Sequence, residues 1–232
     1  PFAAPATLML VAHVEQLGVW DIEGGMHALA QALLRLLRTR GVDVRLSTPV
    51  RRIVTTRGRV SGIELPLGER LEVDAVVATS DAAALAAGLY GADVVRATAA
   101  VPLHARSLSA LTWNVVTAPR GFGLVRHNVF FSTDYAREFA QVFRERRVPD
   151  QPTVYICAQD RRDDDARDTG APERLLCLVN APADGDRHRF SPEEEAACLT
   201  HTLTTLRRCG LELPFSPEQA MVTTPTDFDR LF

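Results

Sequence analysis

Glu23-Gly24-Gly25-Met26 sets two glycines directly ahead of an apolar series with helical spacing. Free backbone N–H groups and the positive end of a helix dipole favour a phosphate or an electron-rich ring at such a point. The same pair also serves an ordinary tight turn, where glycine simply supplies positive φ, and spacing alone favours that plainer role. Arg126-His127-Asn128 precedes Val129-Phe130-Phe131, and Gln159-Asp160-Arg161 follows Val154-Tyr155-Ile156-Cys157, so polar clusters stand at opposite ends of two apolar strands. An apolar pocket with a few polar groups at one end suits a long hydrocarbon with a polar tip. Polar residues at strand ends are also commonplace.

Other chemistries lack their motifs. No GxGxxG follows a strand, and no GxxxxGK[ST], HExxH or GxSxG occurs. His13, His27, His104, His127, His188 and His201 show no ligand spacing, and surface or capping roles suit them better, so no metal is expected. Cys157, Cys177, Cys198 and Cys209 form no CxxC pair, which argues against zinc or a disulfide scaffold and fits a reducing, cytoplasmic compartment. The 26 basic and 29 acidic residues are interspersed with a net charge of -3, so no field draws in nucleic acid, and none is expected as a partner. The apolar stretch from Leu8 to Ala12 is broken by His13 and Glu15, far short of the roughly 20 apolar residues a spanning helix needs. Membrane contact is expected to be peripheral. Pro1-Phe2-Ala3-Ala4-Pro5, without an initiator Met or a basic leader, reads as the start of a fragment.

These residues need elements to hold them. With 232 residues, 46% hydrophobic and 24% charged, the chain has a globular composition. Met26, Leu29, Ala30, Leu33, Leu34 and Leu37 predict a helix that ends near Gly41. Strands are expected over Val42–Leu46, Val50–Thr55, Arg59–Leu65 and Leu71–Ala78, a piece of an α/β domain rather than a complete doubly wound sheet. From Asp81 the texture changes: an Ala-rich helix through Tyr90, then strands over Arg106–Thr117 and Asn128–Phe131. Ser132 or Thr133 is expected to cap a helix with Tyr135, Phe139, Val142 and Phe143 on one face. Strands at Thr153–Ala158 and Leu175–Asn180 follow, separated by the charged run Asp160–Asp168, which reads as a solvated loop. Ser191-Pro192-Glu193-Glu194 is a capping box opening a helix with Ala196, Leu199, Leu203 and Leu206 inward and Gly210 as its stop.

Taken in order and spacing, Pro5-Ala6-Thr7-Leu8, Gly18-Val19-Trp20, Glu23-Gly24-Gly25-Met26, Gly58-Arg59-Val60-Ser61-Gly62-Ile63 and Asp74-Ala75-Val76-Val77 resemble the phytoene desaturase family of carotenoid oxidoreductases. Asn128-Val129-Phe130-Phe131-Ser132-Thr133-Asp134-Tyr135, Pro152-Thr153-Val154-Tyr155 and Thr224-Pro225-Thr226-Asp227-Phe228 continue the resemblance over nearly the whole chain. Ser107-Leu108-Ser109-Ala110-Leu111-Thr112-Trp113 and Cys157-Ala158-Gln159-Asp160-Arg161 look more like the methoxyneurosporene dehydrogenase branch, the 1-hydroxycarotenoid 3,4-desaturases, than like phytoene desaturases proper.

That resemblance implies an α/β fold with an α+β substrate domain, a fragment of a two-domain, FAD-dependent, monoamine-oxidase-like flavoprotein. Residues 1–20 would be a crossing segment, 21–80 a partial FAD-binding domain and 81–232 the substrate-binding domain. The family's N-terminal glycine fingerprint and C-terminal FAD motif are absent, so FAD is expected in the full-length protein and not in this fragment. The fragment alone is expected to be inactive and, with apolar surface uncovered, to self-associate. The resemblance places Glu23, Gly24, Gly25 and Met26 near the flavin and Val50 against the adenine, with Ala78, Thr79 and Ser80 closing the cofactor side of a strand. The implied substrate is a long apolar 1-hydroxy- or 1-methoxy-carotenoid of the neurosporene type, which loses two hydrogens. Arg126, His127, Asp160 and Arg161 are the candidates for reading its polar end, and no catalytic base is assigned. The implied location is cytoplasmic, at the surface of the inner or photosynthetic membrane. Two rivals are another oxidoreductase of the flavin amine-oxidase fold and a non-enzymatic prenyl-binding relative of the GDP-dissociation-inhibitor type.

Overall fold

Leu8–Gln16 forms helix α1 and Gly25–Thr39 forms α2, the helix expected from the apolar series. The computed structural model describes residues 8–20, 22–161 and 170–231, and it divides into two units, Pro1–Ala75 and Val76–Phe232. Residues 1–7 of the expected crossing segment and 162–168 of the Asp160–Asp168 run lie outside the described residues. Helix α2 stops because Gly41, at φ +74, donates its N–H to Arg38 O at 3.1 Å while Val42 N–H reaches Leu37 O at 3.0 Å. This Schellman closure satisfies carbonyls that would otherwise be orphaned.

The first unit then makes an antiparallel meander of β1 (Arg52–Thr56), β2 (Arg59–Glu64) and β3 (Arg70–Glu72). Arg57 and Gly58, at φ +54 and +76, form the two-residue turn between β1 and β2, a pair of left-handed residues that suits the strand twist. Gly62 is required where it stands, since a Cβ there would lie 2.6 Å from Leu71 O. Two expected strands fail. Val42–Leu46 carries no strand, and only 70–72 of the run towards Ala78 pairs. A strand persists where a neighbour completes its ladder, and no described strand lies beside 73–78.

In the second unit, α3 (Ala82–Ala86) is capped by Asp81, whose carboxylate accepts Ala83 N–H at 2.8 Å. It ends well before Tyr90 because Gly88, at φ +79, makes another Schellman closure in which Leu89 N–H reaches Ala84 O. There follow β4 (Ser109–Thr117), β5 (Arg120–Gly121), β6 (His127–Phe130), α4 (Tyr135–Ala140) continued by a π-helical turn over Gln141–Glu145, β7 (Val154–Ala158), β8 (Glu173–Ala181), α5 (Pro192–Arg208), β9 (Leu211–Glu212), β10 (Met221–Thr223) and α6 (Pro225–Leu231). Five of the strands build one antiparallel sheet in the order β10-β4-β8-β7-β6, and β5 pairs with β9.

One face of that sheet is the core. Leu111, Trp113, Cys177, Val179 and Ile156 point into it and pack with Leu199 and Leu206 of α5. The capping box forms as expected: Ser191 Oγ accepts Glu194 N–H, and the Glu194 carboxylate accepts Ser191 N–H at 2.9 Å. Ala196 is exposed, contrary to expectation. The buried stripe of α5 runs through Cys198, Thr202 and Thr205, and two positions before Cys198 is roughly 200° round the helix at about 100° per residue. Asp134, rather than Ser132 or Thr133, caps α4 by accepting Arg137 N–H at 2.8 Å. Val142 turns inward with Glu138 and Gln141 and leaves Tyr135, Phe139 and Phe143 half-covered beside them.

All four cysteines are free thiols, and burial pushes those of Cys177 and Cys198 up to about 12. Only a thiolate attacks a disulfide reagent. Titration of the native protein with a colourless aromatic disulfide at pH 8 is expected to modify the half-buried Cys157 and Cys209 first and to reach Cys177 and Cys198 only after unfolding. Reaction of Cys177 at the rate of Cys209 would show that the sheet and α5 do not close over it.

Candidate functional site

The first unit presents the amino end of α2. Gly24 is its N-cap in left-handed geometry, Gly25 is also left-handed at φ +75, and among the described residues no side chain caps the turn. Glu23, Gly24, Gly25 and Met26 are all exposed. Val50 is half-buried just before β1. Ala78, Thr79 and Ser80 fall in the second unit, exposed and outside any strand, so the expected strand does not reach them.

The second unit presents the sheet face opposite α5. Alternation directs Leu176 and Leu178 of β8, Tyr155 and Cys157 of β7, and His127 and Val129 of β6 to this side, and the pairing His127↔Cys157↔Leu176 and Val129↔Tyr155↔Leu178 lines them up in rows. These residues are half-buried or exposed, unlike their neighbours on the core face. One end of the open face is polar. There His127 Nδ1 and the Tyr155 hydroxyl share a 2.7 Å hydrogen bond with their rings stacked. Burial, then the neighbouring Cys157, pushes the Tyr155 phenol up to about 12, so it remains an O–H through the neutral range. Asn114, Gln159 and Arg174 line a shallow depression of about 280 Å³ at the same end.

The two polar clusters named from the sequence therefore meet. Antiparallel pairing puts the start of β6 beside the end of β7, and Ala158 N–H donates to Arg126 O at 2.8 Å. Within the cluster the residues differ. Arg161 is 5% exposed and holds Glu173 through two hydrogen bonds while its Nη1 donates to Leu124 O. Asp160 holds Arg174 from the side of the sheet, which keeps its carboxyl below the usual range. Arg126 Nη1 donates to Arg161 O at 3.3 Å. Of the four, His127 is hydrogen-bonded to Tyr155 on the open face, and the Arg126 guanidinium is close enough to act on the same phenol by its charge. Tyr155 itself was missed, because its partnership with His127 rests on strand register across 28 positions.

Beyond the other end of the face, Glu138 of α4 is 1% exposed and accepts hydrogen bonds from Thr153 N–H, Thr153 Oγ1 and Asn180 Nδ2. This fixes α4 against the sheet. Among the described residues no group of three or more His, Cys, Asp or Glu comes together as metal ligands, and no helix is long and apolar enough to cross a membrane.

The model of the flavin containing amine oxidoreductases fits residues 6–229, and the chain belongs to that family. Over its whole length it is 52% identical to a hydroxyneurosporene desaturase of Rubrivivax gelatinosus and 40% identical to one of Cereibacter sphaeroides. It is 29% identical, over 99% of its length, to a 4,4'-diaponeurosporene oxygenase of Staphylococcus aureus. The chain spans 44% to 46% of the length of these relatives.

The family implies FAD, and the amino end of α2 fits the approach of such a group. Nothing lies within 4 Å of where a Cβ on Gly25 would be; Gly25 N–H donates to Ile22 O at 2.7 Å, and among the described residues no side chain caps the turn.

Proposed function

We propose that this chain is part of an FAD-dependent carotenoid desaturase acting on a hydroxylated substrate of the neurosporene type. The observation that carries the reading is the open sheet face, apolar along its middle and polar at one end, in a chain 52% identical over its full length to a hydroxyneurosporene desaturase. In this reading residues 21–80 serve the cofactor side, 81–232 the substrate side and 1–20 cross between them. Gly24, Gly25, Met26 and Val50 hold the cofactor with Glu23 at the turn, and Ala78, Thr79 and Ser80 border it. When bound, FAD would supply the acceptor for a hydride lost from one of two adjacent carbons, the other carbon losing a proton to solvent or a base outside the residues assigned here. The work of this chain is to hold the polyene on Leu178, Val129 and Tyr155, to keep water from the reacting carbons and to fix which bond is presented. The enzyme would meet its apolar substrate at a membrane surface.

The test is a chimera in which this chain replaces the matching region of the Rubrivivax gelatinosus relative, expressed in cells that accumulate 1-hydroxyneurosporene. A product with a longer conjugated system, seen as a red-shifted absorption spectrum after chromatography, is expected from the chimera and not from the 232 residues alone. A flavin-loaded chimera that leaves the carotenoid unchanged would move the assignment to another substrate class.

A further inference from the structure

A line of aromatic rings continues the open face past the end away from His127. Phe131, directly after β6, meets Tyr135 with ring centroids 5.9 Å apart, Tyr135 meets Phe139 at 4.8 Å, and Phe139 stacks on Phe143 at 5.9 Å and 20°. The first two contacts are edge-to-face and the last is parallel. Phe131 and Phe143 are 62% and 43% exposed, and the two rings between them are half-buried. A row of rings this open is uncommon on a soluble surface and marks a place where something apolar lies. The buried Glu138 network holds the helix that carries it, so the row is fixed before any ligand arrives.

The other end of the same strip is the His127–Tyr155 pair, four residues back along β6 from Phe131, roughly 13 Å at about 3.3 Å per residue. We propose that the strip is an oriented rail: Phe131, Tyr135, Phe139 and Phe143 carry the conjugated chain, and His127 with Tyr155 reads an oxygen at its end. This rests on the desaturase reading and adds the direction in which the substrate lies. A conjugated hydrocarbon is a flat, stiff ribbon, and ring faces and edges at regular spacing give it dispersion contacts along its length. The pair reads oxygen in either tautomer. If Nδ1 accepts the tyrosine proton, the phenol oxygen can accept from a substrate hydroxyl. If Nδ1–H donates to the phenol, the tyrosine O–H can turn from its neighbour Cys157, a weak acceptor, to donate to a hydroxyl or a methoxy oxygen.

The experiment uses the flavin-loaded chimera described above, with 1-hydroxyneurosporene and neurosporene in detergent micelles. It measures binding from the shift of the carotenoid absorption band and turnover from product. Tyr155→Phe is expected to lower the preference for the hydroxylated carotenoid about tenfold, the size of one lost hydrogen bond. Phe139→Leu, which keeps bulk and removes the ring, is expected to weaken binding of both carotenoids several-fold with the preference unchanged. Unchanged preference in Tyr155→Phe, with both substrates still bound, overturns the oxygen-reading end. Undiminished binding in Phe139→Leu and Phe143→Leu overturns the rail and means that another part of the polypeptide covers the rings. A parent chimera that binds neither carotenoid overturns this inference and the desaturase reading together.

Discussion

Glu173→Ala is expected to destabilise the protein by about 3–5 kcal/mol, the usual loss when one member of a buried ion pair is removed. Arg161 and Glu173 are 5% and 7% exposed and 12 positions apart, so the pair ties the end of β7 to the start of β8. Without the carboxylate a guanidinium is left in a water-poor place with only the Leu124 carbonyl and its remaining contacts. The double change Arg161→Met with Glu173→Leu removes the uncompensated charge and is expected to recover most of the loss. Urea denaturation of the three proteins measures this. A loss below about 1 kcal/mol in Glu173→Ala would mean that the pair is solvated and behaves like a surface salt bridge.

Trp113→Ala is the second large effect, about 3–5 kcal/mol by the transfer and cavity terms that follow a large-to-small change in a core. Trp113 is 1% exposed in the middle of β4, opposite Cys177 on β8 and Val222 on β10. It packs with Cys177, Leu199 and Leu206 around a space with no room for water, so little can relax into the hole. Trp113→Phe is expected to lose much less. The same denaturation measurement decides it, and a small loss in Trp113→Ala would place the centre of the core elsewhere.

Helices α2 and α5 were legible from sequence because each carries its own signals: an apolar stripe, a glycine stop and, for α5, the Ser191 and Glu194 box. Strands β4, β7 and β8 were legible as long β-branched or apolar runs. The three-residue β10 and the two-residue β5 and β9 went unseen, since strands so short exist only through their neighbours. The reverse error came at Val42–Leu46 and 73–78, where strand-like residues find no described partner. The candidate site divides in the same way. His127 was visible as a polar residue at the head of an apolar run. Its pairing with Tyr155 was not, because cross-strand register is non-local. Arg161 carried the right chemistry for a ligand, but burial beside Glu173 commits it to holding two strands together, and nothing local to Arg161 announces that.

The π-helical turn over Gln141–Glu145 makes the aromatic row depend on chain length as much as on residue type. Such a turn carries an extra residue relative to an α-helical one, so deleting a single residue between Phe139 and Phe143 would swing the later ring by roughly 100° about the axis. Relatives that keep every aromatic residue but differ by one position in this loop of helix would carry a broken row. A single-codon gap could therefore break the row with every aromatic residue kept, a change that comparison of residue identities alone overlooks.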